Sequence, residues 1–132
     1  MSRILFCEDD LTIHKLIRMA LRGSTHEVMM ARDGAEGLRM ARELRPVVVF
    51  SDVAMPVMNG FELADAMRAD PDLATIPIVF ITASLQRSEV DEALRHGGAR
   101  VIGKPFTVAA LRDLVAEFAL PAERDSLTTA GE

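Results

Sequence analysis

Four places in this 132-residue chain carry side chains able to do chemistry together: the acid run Glu8-Asp9-Asp10, the lone carboxylate Asp52, the hydroxyl of Thr82 and the amine of Lys104. Each follows closely on a short apolar run, the pattern of a residue delivered at the end of a buried strand. Carboxylates gathered in one hollow repel, by roughly 4 kcal/mol for unit charges 4 Å apart at an effective dielectric near 20. Such a hollow either keeps a proton or shares a cation. Carboxylate oxygens, a backbone carbonyl and waters suit Mg2+, which retains part of its hydration and bridges to phosphate. Lys104 adds a point positive charge, and Thr82 adds a hydroxyl donor. Acids, a hard metal, an amine and a hydroxyl make a phosphoryl-transfer site, which acts by positioning and charge neutralisation. Asp52 is its expected phosphate acceptor.

The elements that must position these residues follow from the apolar pattern. Arg3-Ile4-Leu5-Phe6-Cys7 reads as a first strand, and Ile13, Leu16, Ile17, Ala20 and Leu21 as a first helix, C-capped by Gly23. Val28–Ala31 is a second strand. Asp33 and Glu36 have the spacing of a capping box for a helix through Leu44, which Pro46 stops. Val47–Asp52 forms the central strand, followed by a Pro-containing turn that ends in Asn59-Gly60. A third helix carries Phe61, Leu63, Ala64 and Met67, and Asp70-Pro71 closes it. Ile76–Ile81 is a fourth strand, with Pro77 near its entrance. Ser88 and Asp91 open a fourth helix that stops at Gly97-Gly98; Val101-Ile102 is a fifth strand, and Thr107 caps a fifth helix. Five strands alternating with five helices make a three-layer α/β sandwich with right-handed crossovers. In such a sheet the carboxyl ends of the strands lie on one edge, where ligands bind.

Read together, these motifs resemble the receiver domain of two-component response regulators. The matching stretches are Ile4–Asp10, then Asp52 with Met55-Pro56 and Met58-Asn59-Gly60, then Ile81-Thr82-Ala83, then Lys104-Pro105-Phe106, and the likeness covers about residues 3–119. It implies a flavodoxin-like parallel sheet of order 2-1-3-4-5. It implies that Asp52 accepts phosphate from a phosphohistidine, with Mg2+ held by Asp9, Asp52 and the backbone carbonyl of Ala54, and by Glu8 through a water. Thr82 and Lys104 would grip the phosphoryl oxygens, and Lys104-Pro105 would be a cis peptide. Phosphorylation would draw Thr82 inward and remodel the face made by the fourth helix, fifth strand and fifth helix. Two departures stand out. Val101 occupies a position where receivers commonly carry an aromatic residue. Ala54 and Ser84 occupy positions that tune hydrolysis of the acyl phosphate, and neither offers an amide or a carboxylate.

Composition bounds the remaining readings. With 49% apolar and 27% charged residues the chain fits one folded domain, expected over residues 1–119 with a polar, disordered tail over 120–132. The net charge of −5 and the lack of a basic stripe disfavour direct nucleic-acid binding. No membrane-spanning run and no signal peptide are visible, and a single Cys7 fits a reducing cytoplasm. The expected partners are a histidine kinase or histidine phosphotransfer protein and a downstream protein target. His14, His26 and His96 lack the spacing of zinc ligands and read as ordinary histidines. Other classes fit less well. An aspartate-nucleophile phosphatase would place a second acid where Ala54 stands, and a flavin binder needs phosphate loops and aromatics that are missing. A pseudo-receiver used only for docking would not need the full acid, Thr and Lys set. A receiver cut from a hybrid histidine kinase has the same sequence features as a stand-alone one.

Overall fold

The computed structural model describes residues 2–131, with side chains described through residue 119. Its elements in order are β1 (Arg3–Cys7), α1 (Leu11–Ala20), β2 (Glu27–Ala31), α2 (Gly34–Leu44), β3 (Val48–Asp52), α3 (Gly60–Ala69), β4 (Ile78–Thr82), α4 (Arg87–Arg95), β5 (Arg100–Gly103) and α5 (Val108–Gly131). The strands form one parallel sheet in the order β2-β1-β3-β4-β5, as the resemblance implied. The tail expected over 120–132 falls outside the residues whose side chains are described.

Alternation along each strand divides the core in two. Ile4, Phe6, Val48, Phe50, Val79 and Ile81 point to the face covered by α1 and α5. Leu5, Cys7, Val49, Ile78 and Phe80 point to the other face, with Ala41, Leu63, Met67 and Ala93 from α2, α3 and α4. Every residue of β3 is buried, which is why that strand reads as a continuous apolar run. Phe6 and Phe50 are register partners across β1 and β3, and their rings stack at 4.8 Å between centroids. Cys7 is fully buried, and burial together with the charges of Asp33 and Glu36 pushes its thiol up, out of reach of thiolate chemistry.

Several boundaries differ from the sequence reading, each for a local reason. Helix α1 ends at Ala20, and the chain turns through Leu21 and Arg22 before Gly23 takes φ 84. Asp33 does cap α2 by accepting from Glu36 N at 2.8 Å, but the Glu36 carboxylate reaches back to Arg32 N rather than to the cap residue itself. The complete capping box lies at α3, between Asn59 and Glu62. Ile76 and Pro77 stand just outside β4, where the Pro77 carbonyl accepts from Val49 N at 3.0 Å in the manner of a ladder bond. Helix α4 starts at Arg87 behind Gln86, which makes no side-chain cap bond, so Ser88 is inside the helix and not its cap. Thr107 caps α5 as expected, accepting from Ala110 N at 3.0 Å.

Candidate functional site

The register aligns the strand ends: Cys7 pairs with Ser51, Asp52 with Ile81 and Thr82 with Gly103. Residues just past those ends therefore share one edge. Glu8 leaves β1 with its N–H still bonded to Ala31 O at 2.9 Å, and its side chain turns into the hollow with no exposed surface. Asp52 ends β3 and is 5% exposed. One oxygen from each of Glu8, Asp9 and Asp52 lies within 4.8 Å of the other two. Lys104, just after β5, places Nζ 2.8 Å from Asp52 Oδ2 and 2.7 Å from Glu8 Oε1. Its backbone N–H donates to Thr82 O at 2.7 Å, and Lys104-Pro105 is cis. Asp10, the third acid of the run, plays a different part: it is the N-cap of α1, accepting from Thr12 N at 2.8 Å.

Charge dominates this hollow. Burial works against the Lys104 ammonium, yet its hydrogen bond to Asp52, its close contact with Glu8 and the charges of both more than offset it and raise its pKa. Three carboxylates against one ammonium still leave two negative charges. Glu8 Oε1 is buried and contacts Lys104 without hydrogen-bond geometry, whereas Oε2 accepts from Asp10 N at 3.1 Å. An under-satisfied buried oxygen among three convergent carboxylates fits a hard divalent cation such as Mg2+.

Thr82 lies at the same edge but is not bonded to Asp52. Its Oγ1 donates to Ser84 O at 3.1 Å and accepts from Ser84 N at 3.2 Å, a local turn that holds the hydroxyl in its own loop. It also borders a cavity of about 260 Å³ between α3 and α4, lined by Val53, Phe61, Glu89, Glu92 and Ala93. Ala54 is exposed in the loop two residues past Asp52. Val101 is partly buried and packs on the α2/α3/α4 side of the sheet. On that side Phe61 stacks on His96, 4.5 Å between ring centroids, and His96 Nδ1 bonds Asp65 at 2.9 Å.

The loop between β3 and α3 is pinned at several points. Gly60 N donates to Val53 O at 2.9 Å, and a Cβ on Gly60 would sit 2.3 Å from Asp52 O, so only glycine lets α3 begin this close to the acceptor's backbone. The turn before it has Met58 N donating to Pro56 O at 2.7 Å around Val57, whose φ is 68. A β-branched residue in a left-handed conformation is strained by about 1–2 kcal/mol. Val57 is 83% exposed, so its side chain packs on little. Val57→Asn is expected to stabilise the fold by about 0.5–1 kcal/mol, read as a higher urea midpoint at unchanged slope. An equal or lower midpoint would count against strain at this turn.

The sequence reading missed the Asn59–Glu62 box, although the i, i+3 spacing was there to be read, because Asn59-Gly60 reads first as a turn. It also gave His14 no role; the imidazole Nε2 contacts the Glu8 carbonyl.

The sequence matches the response regulator receiver domain model over residues 4–116. It is 36% identical over 105 residues to the DNA-binding response regulator MtrA of Mycobacterium tuberculosis, an alignment that covers 80% of this chain but 45% of that relative. The chain thus spans about half the length of such relatives. It is 32% identical over 106 residues to the polar-differentiation response regulator DivK of Brucella anthropi, covering 80% of this chain and 85% of DivK. The receiver domain of a sensor histidine kinase from Pseudomonas aeruginosa PAO1, solved with magnesium coordinated in its active-site cleft, superposes with a TM-score of 0.81 at 26% identity over 89% of this chain and 96% of that one.

Proposed function

Because the chain belongs to the response regulator receiver domain family, we propose that Asp52 is its phosphoryl acceptor and that Glu8, Asp9, Ala54, Thr82 and Lys104 serve that acceptor. The carrying observation is the buried Glu8–Lys104–Asp52 arrangement, with Asp9 beside it and two negative charges left over. Mg2+ would be held by Asp9, Asp52 and the Ala54 carbonyl, with Glu8 acting through water, and would supply the charge neutralisation that lets a phosphodonor approach. An Asp52 carboxylate oxygen attacks phosphorus; the P–O or P–N bond to the donor breaks, and an acyl phosphate results. Lys104 is placed to hold a phosphoryl oxygen once the group is on Asp52.

The role is signalling and not metabolic turnover. Thr82 supports a switch: its hydroxyl is committed to Ser84 in this state, and leaving that turn for the phosphoryl group would cost two hydrogen bonds while changing the border of the α3/α4 cavity. Moving a two-state equilibrium from 1:99 to 99:1 takes about 5.5 kcal/mol of differential stabilisation. Charge-assisted bonds to a dianionic group, at about 1.5–3 kcal/mol each, supply that scale from two or three contacts. The readout surface would be α4, β5 and α5, and the phosphodonor a histidine kinase or phosphotransfer protein in the cytoplasm. Among the described residues no helix is long and apolar enough to cross a membrane. Residues 1–119 would form the switch, with every residue named for the site inside that range.

Incubation with acetyl phosphate tests this reading: a phosphoryl label should be taken up with Mg2+ and not with EDTA. Failure of the Mg2+-loaded chain to accept label or bind beryllofluoride would overturn it. Ala54 and Ser84 bear on the lifetime of the product. Neither can hold an attacking water with an amide or carboxylate, so loss of the phosphoryl group is expected to run at the unassisted rate or to rely on a partner. Ala54→Asn should shorten the half-life of the labelled protein several-fold, and an unchanged half-life would exclude that account.

A further inference from the structure

The two acids proposed as the metal's first contacts are held in different ways. Asp52 is fixed in a strand and by Lys104. The Asp9 carboxylate is exposed, and among the described residues it has no hydrogen-bond or ion-pair partner of its own. Its direction is therefore set by the backbone on either side. On the C-terminal side that backbone is fixed by Asp10, the N-cap of α1. On the N-terminal side lies the Glu8–Asp9 peptide, whose N–H and C=O belong to no strand ladder once β1 has ended at Cys7.

One side chain meets that peptide. His14, in the first turns of α1, turns its Nε2 back six residues onto the Glu8 carbonyl oxygen. A carbonyl oxygen only accepts, so Nε2 must carry the hydrogen. The His14 backbone N–H donates to Asp10 O at 3.1 Å, the first bond of α1, so the residue that reaches the Glu8 carbonyl is itself anchored at the helix start. The ring is half-buried, which limits competition from water for the carbonyl.

We propose that His14 is a positioning residue for the cation site: by pinning the plane of the Glu8–Asp9 peptide, its imidazole aims the Asp9 carboxylate at the hollow. This rests on the reading of Glu8, Asp9 and Asp52 as the cation site. Groups that orient a metal's direct ligands contribute about 10- to 100-fold to metal affinity. The lower end applies here, because His14 acts through a peptide and not on the carboxylate itself.

The test compares wild type, His14→Ala and His14→Gln, whose amide nitrogen can donate from about the same reach as Nε2. Phosphorylation by acetyl phosphate is followed as Mg2+ is varied, with calorimetric Mg2+ titration alongside and circular dichroism to confirm folding. His14→Ala should raise the half-saturating Mg2+ about 10-fold while the rate at saturating Mg2+ stays close to wild type. His14→Gln should recover most of the loss. The nitrogen spectrum of wild-type His14 should show the hydrogen on Nε2. Half-saturating Mg2+ unchanged in His14→Ala, equal weakening in both variants, or a neutral ring protonated only at Nδ1 would each overturn the inference. Those results would leave the acceptor reading standing, whereas a wild-type chain that takes up neither Mg2+ nor phosphoryl label would overturn both.

Discussion

Asp52→Asn is expected to abolish phosphoryl uptake from acetyl phosphate while leaving the fold intact. The amide presents no carboxylate oxygen to attack phosphorus, so labelling should fall by at least about 100-fold, to background. Stability should not follow it down. In the wild type Asp52 is attracted by one ammonium at 2.8 Å and repelled by two carboxylates within 4.8 Å. At an effective dielectric near 20 the attraction is about 6 kcal/mol and each repulsion about 3.5 kcal/mol, so the terms nearly cancel. Urea unfolding of Asp52→Asn in EDTA should therefore lie within about 1 kcal/mol of wild type, on the stable side. The Mg2+ response should shrink. If wild type binds Mg2+, raising the free ion to 100 times its dissociation constant adds about 2.7 kcal/mol, and removing one ligand weakens that gain. The chain has no Trp or Tyr, so circular dichroism is the natural probe. Retained labelling in Asp52→Asn would mean that another residue is the acceptor.

The separation between what was legible in the sequence and what was not follows the physics of each feature. Strands buried on both faces write themselves as apolar runs, so β1, β3 and β4 could be placed to within a residue or two, and the acids, hydroxyl and amine past their ends fell on one edge as a consequence of parallel pairing. Some ends set by side-chain capping were readable, as at Thr107. The start of α4 was not, because Gln86 makes no side-chain cap bond. Three features of the site were hidden for a common reason. Asp10 capping α1 and not lining the hollow, Thr82 bonded to Ser84, and His14 on the Glu8 carbonyl all depend on which rotamer a polar side chain takes in a loop. Periodicity and spacing carry no information about that choice. Val101 shows the opposite case. Its small side chain was plain in the sequence, but the nearby Phe61–His96 stack and the His96–Asp65 bond, which tie α3 to the end of α4, arise from contacts between residues far apart in the chain.

Lys104→Ala should be the most destabilising change in the hollow. Glu8 is fully buried and Asp52 nearly so, and Lys104 is the one cation that touches both among the described residues. Removing one partner of a buried ion pair costs about 3–5 kcal/mol, because the other charge is left uncompensated. Lys104 is partly exposed, its side chain 23% accessible, so the expected loss in EDTA at pH 7 is near 3 kcal/mol, the lower end of that range. Two further readouts separate this cause from lost packing. The variant's hollow carries three carboxylates and no ammonium, so Mg2+ should bind it more tightly than wild type and recover part of the deficit. The pH dependence has a definite sign. The Lys104 pKa is raised in the folded state, so its contribution is whole below the ordinary lysine value and fades as pH climbs through the folded one. Wild type should therefore fall toward the variant at strongly alkaline pH, and the gap between them should not widen there. A deficit indifferent to both Mg2+ and pH would identify Lys104 as a packing residue and remove the electrostatic basis of the site.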